Sequence, residues 1–235
     1  MKTILLLLLA TGFSLLVFSQ PDIKIKKKDR KRDVELVTTE GTIVLRLSDS
    51  TPLHRDNFLR LVKTGVYDSV LFHRVISGFM IQAGDPESKR AVARAPLGNG
   101  DLGYKVPAEF RPTLFHKKGA LAAARQGDNV NPEKASSASQ FYIVQGRTFT
   151  EAQMDSIEVA RLQGRKISPE RRALYSTVGG TPQLDSNYTV FGEVVKGLEV
   201  VDKIAATEAS KAQDRDRPLQ DVRILSVKLV KRKRG

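Results

Sequence analysis

The sequence predicts an all-β domain, a closed antiparallel barrel carrying a helical insert on its surface. Two observations lead there. Short apolar or alternating runs recur along the chain with glycine-bearing turns between them, and only two segments read as framework helices, one near each end of the domain. Closing such a sheet removes the edges that it would otherwise expose. A chain of 235 residues, 40% of them apolar and 28% charged, has the composition of one globular domain with its own core.

The elements follow in order. Val34 to Val37 and Thr42 to Leu47 flank a turn at Glu40-Gly41 and read as a hairpin, with Ile43, Leu45 and Leu47 on one face. Pro52 opens a helix whose Phe58, Leu59 and Val62 form one apolar stripe, and Gly65 ends it. Ser69 to Arg74 and Phe79 to Gln82 read as strands separated by Ser77-Gly78, and residues 86 to 104 as a long surface loop. Gly119 to Ala124, Phe141 to Val144, Asn187 to Val194 and Val222 to Val230 are further strands, and residues 198 to 204 a short amphipathic helix. Glu151 to Arg161 and Ser168 to Leu174 read as helices of the insert; Ser168 is placed to cap the second, with Pro169 at its first position. Apolar residues there are too few to predict a separate core.

Lys2, the apolar runs Ile4 to Leu9 and Phe13 to Phe18, and small residues at Val17 and Ser19 read as an export signal over residues 1–19, cleaved before Gln20. An uncleaved membrane anchor is the rival reading, but the run is short for a span of about 20 residues. The net charge of +13 concentrates at the ends: residues 22–33 hold seven Lys/Arg against three Asp, and five more cations fall between Lys228 and Arg234. This predicts a basic linker over 20–33, a domain over 34–230 with its insert at 147–180, and a basic tail over 231–235. A linker touching anionic lipid or envelope polymer fits an exported protein better than nucleic-acid binding does.

The chain has no cysteine, which excludes disulfides, thiol catalysis and cysteine-ligated metals. His54, His73 and His116 fall in no metal-ligand motif, and no G-x-S-x-G elbow or phosphate-binding glycine loop occurs. What remains is Phe72-His73-Arg74-Val75 followed by Phe79-Met80-Ile81-Gln82. An arginine between large apolar neighbours either snorkels to water or holds a place in a concave site. Pattern alone favours the first. His73 and Arg74 point to opposite sides of a regular strand and share a site only if the strand is distorted.

The segment from Phe58 to Asp85, with Tyr67, Phe72-His73-Arg74-Val75, Gly78-Phe79-Met80, Gln82 and Gly84-Asp85, resembles the signature of the cyclophilin-type peptidyl-prolyl isomerases. Gly119-Ala120-Leu121-Ala122, Ser139-Gln140-Phe141-Tyr142-Ile143 and Val190-Phe191-Gly192-Glu193-Val194 support it in the expected order, so the resemblance spans about residues 34 to 230. It implies a closed eight-stranded antiparallel barrel capped by two helices, with its active face outside. It also implies cofactor-independent isomerisation of X–Pro bonds in folding or exported polypeptides; taken with the export signal, this predicts a monomer in the periplasm, otherwise secreted or anchored by its uncleaved N-terminal segment. Arg74 then matches the catalytic arginine and Gln82 the substrate-orienting glutamine. Phe79, Met80, Tyr142 and Leu184 match the proline pocket, Ala124 and Arg125 the edge along which substrate backbone runs, and Gln140 a groove residue. Tyr142 stands where phenylalanine is usual and needs a partner for its hydroxyl. Gln183 stands where some members have tryptophan and Tyr188 in place of a groove histidine, and Ala123, where methionine is frequent, is expected to loosen the wall further. The altered groove keeps open a second reading, a low-activity chaperone or proline-peptide binding module of the cell envelope.

Overall fold

The computed structural model describes residues 23–211 and 214–232; the export signal and the last residues of the basic tail lie outside this range. Residues 23–33, read from sequence as linker, include a helical turn, α1 (Lys27–Arg30), and the start of β1 (Arg32–Thr38). Arg30 pairs with Asp56 at 2.6 Å and Asp29 with Lys63 at 2.9 Å, which ties this segment to α2 (Pro52–Lys63).

β1 and β2 (Gly41–Leu47) form the predicted hairpin, closed by the Thr38 hydroxyl, which donates to the Gly41 carbonyl at 2.7 Å. The remaining strands are β3 (Arg74–Ile76), β4 (Met80–Ala83), β5 (Lys105–Val106), β6 (Ala120–Ala123), β7 (Ser136–Ser137), β8 (Phe141–Val144), β9 (Val190–Lys196) and β10 (Ile224–Lys231). Eight of them form one antiparallel sheet in the order β10-β1-β2-β9-β6-β8-β4-β3, and β5 pairs only with β7.

The sheet is strongly curled but open, an antiparallel half-barrel whose edges stand 13 Å apart, and not the closed barrel expected from sequence. Closure fails for a local reason. Ser69 takes a left-handed conformation (φ 68°), so the chain before β3 is irregular and the predicted strand Ser69 to Arg74 shrinks to Arg74–Ile76. Residues 69–72 still bind the chain around the start of β10, through Ser69 N–H to Ile224 O, Ile224 N–H to Val70 O and Phe72 N–H to Val222 O. The expectation of two helices is corrected as well: five occur among the described residues, α1, α2, α3 (Glu151–Ala160), α4 (Pro169–Thr177) and α5 (Leu198–Ala205).

The sheet buries both faces. Alternation sends Val34, Leu36, Ile43, Leu45, Val75, Ile81, Leu121, Phe141 and Ile143 into the concave core, where α2 contributes Phe58, Leu59 and Val62 and α5 contributes Val201 and Ile204. The Phe58 ring lies 4.8–5.4 Å from those of Tyr67, Phe141 and Phe191. Opposite positions on the same strands, Met80, Ala120, Ala122, Tyr142 and Val144, join Val190 in a second cluster on the convex face. α2 lacks a side-chain cap of its own; Glu109 supplies one from a distance, accepting from Leu53 N–H and His54 N–H at 3.2 and 3.0 Å.

The insert leaves and rejoins the sheet at one neck, where Arg147 and Gly180 exchange backbone hydrogen bonds of 3.3 and 3.0 Å. Contrary to the sequence reading, it has a small core of its own, made of Phe149, Met154, Leu162, Ile167 and Tyr175.

Candidate active site

The β3–β4 hairpin turns at Gly78, whose φ of 74° suits glycine, and sets Arg74 opposite Gln82, Val75 opposite Ile81 and Ile76 opposite Met80. Because successive side chains alternate, Val75 and Ile81 enter the concave core while Arg74, Met80 and Gln82 face outward. Gln82 lies opposite Tyr142 on β8, which lies opposite Ala122 on β6. Arg74, Gln82, Tyr142 and Ala122 thus form one row across the convex face.

Above this row opens a cleft of about 100 Å³, lined by Arg74, Phe79, Met80, Gln82, Ala124, Arg125, Tyr142, Leu184 and Tyr188. These are nine of the ten site residues expected from sequence. The tenth, Gln140, stands behind Gln82: its side-chain oxygen accepts from Gln82 Nε2 at 3.1 Å, and its Nε2 donates to the carbonyls of Gly98 and Gly100 at 3.1 and 2.9 Å. Gln140 therefore orients Gln82 and borders a neighbouring hollow, outside the proline-sized cleft. Ala123 does not loosen the wall as expected. It faces inward, opposite Phe141, and belongs to the concave core.

Arg74 keeps 38% of its side chain exposed, and its Nε lies 3.5 Å from Asp216 Oδ2. Asp216 also accepts the Val75 N–H on its carbonyl at 2.9 Å, so one residue braces both the strand and the arginine. Sequence reasoning missed Asp216, which lies in an irregular stretch where both it and Arg215 have positive φ. His73, next in the chain to Arg74 and just before β3, is buried, whereas Arg74 is part-exposed, so the two do not share the site. Burial lowers its imidazole to a pKa of about 4, despite the opposing pull of the nearby Asp85 carboxylate.

The Tyr142 hydroxyl has found its partner. It lies 3.0 Å from His116 Nε2, and His116 Nδ1 is 2.9 Å from Asp185 Oδ1. Asp185 Oδ2 in turn accepts from the Tyr175 hydroxyl at 2.7 Å and from Arg171 at 3.4 Å, both on α4 of the insert. The Asp185 carboxylate favours a proton on His116 Nδ1, which leaves Nε2 to accept from Tyr142. Burial pushes the Tyr142 phenol well above its ordinary value, so it stays a donor. A buried chain of hydrogen bonds thus runs from the insert to the wall of the cleft. None of its members beyond Tyr142 was identifiable in sequence as part of the site.

The Arg125 side chain is 4% exposed: Nε donates to Asn187 O at 2.8 Å, Nη1 pairs with Asp128 at 2.6 Å, and the guanidinium lies 4.4 Å from the Tyr188 ring centroid. It braces the rim of the cleft. Among the described residues no group of three or more His, Asp or Glu side chains is placed to hold a metal ion.

With this geometry in hand, comparison with known proteins is specific. Residues 33–229 match the family described as cyclophilin type peptidyl-prolyl cis-trans isomerase/CLD. A Staphylococcus haemolyticus protein named "Putative peptidyl-prolyl cis-trans isomerase" is 34% identical over 208 residues, covering 88% of this chain and 96% of the relative. A Streptococcus pyogenes protein whose name joins a phosphatase to such an isomerase is 35% identical over 199 residues, covering 83% of this chain and 38% of the relative. The crystal structure of a cyclophilin type isomerase from Cryptosporidium parvum superposes with a TM-score of 0.60 at 22% identity, covering 86% of this chain and 99% of that one. It supports the fold.

Proposed function

This chain belongs to the cyclophilin-type peptidyl-prolyl cis-trans isomerase family, and we propose that it accelerates X–Pro rotation at the Arg74 cleft. The uncatalysed rotation is slow because the amide C–N bond has partial double-bond character, with a barrier of about 20 kcal/mol. In the twisted amide that conjugation is lost and the proline nitrogen regains a lone pair. A donor aimed at that nitrogen binds the transition state more tightly than either planar isomer. Arg74 suits the role because its charge is permanent and its fork rigid. Its nearest contact with Asp216 is made from Nε, and among the described residues neither terminal nitrogen makes a hydrogen bond.

Phe79, Met80, Leu184 and Tyr142 would hold the proline ring, while Gln82, steadied by Gln140, would bind the carbonyl on the other side of the rotating bond. The step needs neither a nucleophile nor a proton transfer. The carrying observation is the placement of Arg74 in one row with Gln82 and Tyr142 beside an apolar cleft. In a protease-free exchange assay on a short X–Pro peptide, Arg74→Ala should lose about 10²–10³ in turnover, the effect of losing one well-placed transition-state donor, with a smaller loss of peptide affinity. Near-parental turnover would overturn the assignment.

The apolar N-terminal residues support export as part of this function, the clients then being exported polypeptides. N-terminal sequencing of the protein from its own cells should begin at Gln20, and an intact Met1 would refute cleavage.

A further inference from the structure

We infer that the groove between the insert and the sheet is a second subsite of the proposed active site, one that takes an acidic side chain flanking the proline of a client. The inference rests on the isomerase reading and adds to it the class of sequence preferred. The groove, about 640 Å³, shares Phe79, Arg125, Leu184 and Tyr188 with the proline cleft, so a bound polypeptide passes from one into the other without leaving the surface. Its outer wall is Arg147, Phe149, Ile157 and Arg161 of the insert.

Four cations line the groove, Arg125, Lys134, Arg147 and Arg161, against one carboxylate, Asp128. Asp128 is already engaged by Arg125 at 2.6 Å and Lys134 at 3.7 Å. The two insert arginines are different. Arg147 and Arg161 are exposed, and no ion pair forms at either among the described residues; Arg147 lies instead with its guanidinium 4.3 Å from the Phe149 ring centroid. Elsewhere in the insert Arg171 pairs with Asp185 and Arg172 with Glu151, Asp155 and Glu158, while Arg165 donates to the Leu162 carbonyl. Of the three insert arginines without an ion pair among the described residues, two, Arg147 and Arg161, thus face the groove.

The surroundings favour a carboxylate there. A concave site with one sign of charge focuses its field, and the apolar walls of Phe149, Ile157 and Leu184 reduce the screening that weakens such pairs on open surfaces. Its cation–π contact with Phe149 restrains the Arg147 guanidinium, whose rigid fork suits a bidentate partner. An acidic residue near the proline would meet two arginines whose charge no protein carboxylate answers.

The test uses the mature protein and X–Pro peptides that differ only in carrying Glu, Gln or Lys at positions on either side of the proline. At low salt kcat/KM should favour Glu over Gln by about five- to tenfold on one side only, and salt should erase the preference. In the double variant Arg147→Glu/Arg161→Glu the order should invert in favour of Lys, an outcome that misfolding cannot produce. Equal rates for Glu and Gln in the parental protein, or a Glu preference that survives the double variant, would overturn the subsite. If the parental protein turns over none of the peptides, the isomerase reading fails by itself. Titration of the same peptides by fluorescence anisotropy then tests the groove independently, with Glu binding tighter than Gln expected and equal affinity refuting it.

Discussion

Arg74 and His73 are neighbours in the chain and opposites in environment: Arg74 opens β3, and His73 lies in the irregular chain just before it. Arg74 faces out beside Asp216; His73 faces in beside Asp85. We expect Asp216→Asn to loosen the arginine and lower kcat by about three- to tenfold with little change in KM, as a misplaced transition-state donor should; an unchanged kcat would show that Asp216 braces only the backbone. His73 leads to a pH effect whose sign can be worked out. Its folded pKa of about 4 lies below the ordinary value near 6.5, so in that interval the unfolded chain binds a proton that the folded one refuses. Stability is therefore full above pH 6.5 and falls as pH drops towards 4, by on the order of 3 kcal/mol for this group. His54, also lowered by burial, acts in the same sense. Urea midpoints at pH 7.5 and pH 5 measure it, and His73→Leu should flatten part of the slope; equal midpoints in the parental protein would refute it. At this scale the sequence disclosed what lies on regular strands. Arg74, Gln82 and Tyr142 were legible through the family signature, whereas Asp216 was not, because an irregular turn leaves no periodic trace.

The insert shows the same divide among elements. Its second helix could be read from its start, since Ser168 accepts from Arg171 N–H, while the cap of the first, Thr150 accepting from Gln153 N–H, is a finding of the structure. Its core could not, because Phe149, Leu162 and Ile167 lie outside both helices and follow no helical period. What locks the element is Glu158, which accepts from Arg172 at 2.6 Å, Lys166 at 2.7 Å and Ile167 N–H at 2.9 Å, spanning both helices and the loop between them. Those donors hold its carboxyl at about pKa 2, below the ordinary value of 4.5. The clamp is complete above pH 4.5 and weakens as pH falls towards 2. Glu158→Gln should leave the sheet folded and expose the loop: tryptic cleavage at Arg161, Arg165 or Lys166 should accelerate several-fold, and an unchanged cleavage rate would show that the apolar cluster alone holds the insert.

For the molecule as a whole, apolar and alternating runs revealed the eight strands of the curled sheet but not the short β5 and β7. Sequence could not show that the sheet stops short of closing, since that depends on one left-handed residue, Ser69, and on how far the curled edges approach. The opening has a dynamic consequence. β3 is an edge strand, paired to β4 over three residues and held on its free side by the Val75 N–H to Asp216 O bond. Native proteins open locally before they unfold globally, starting where few backbone bonds would break. The strand bearing Arg74 should then be a low-energy opening unit, able to adjust as a client amide turns through its twisted state. Native-state hydrogen exchange would register this as faster exchange at Val75 than at Ile143 in the middle of the sheet. Equal protection at the two amides would mean that the arginine rides on a rigid frame and that the client alone moves.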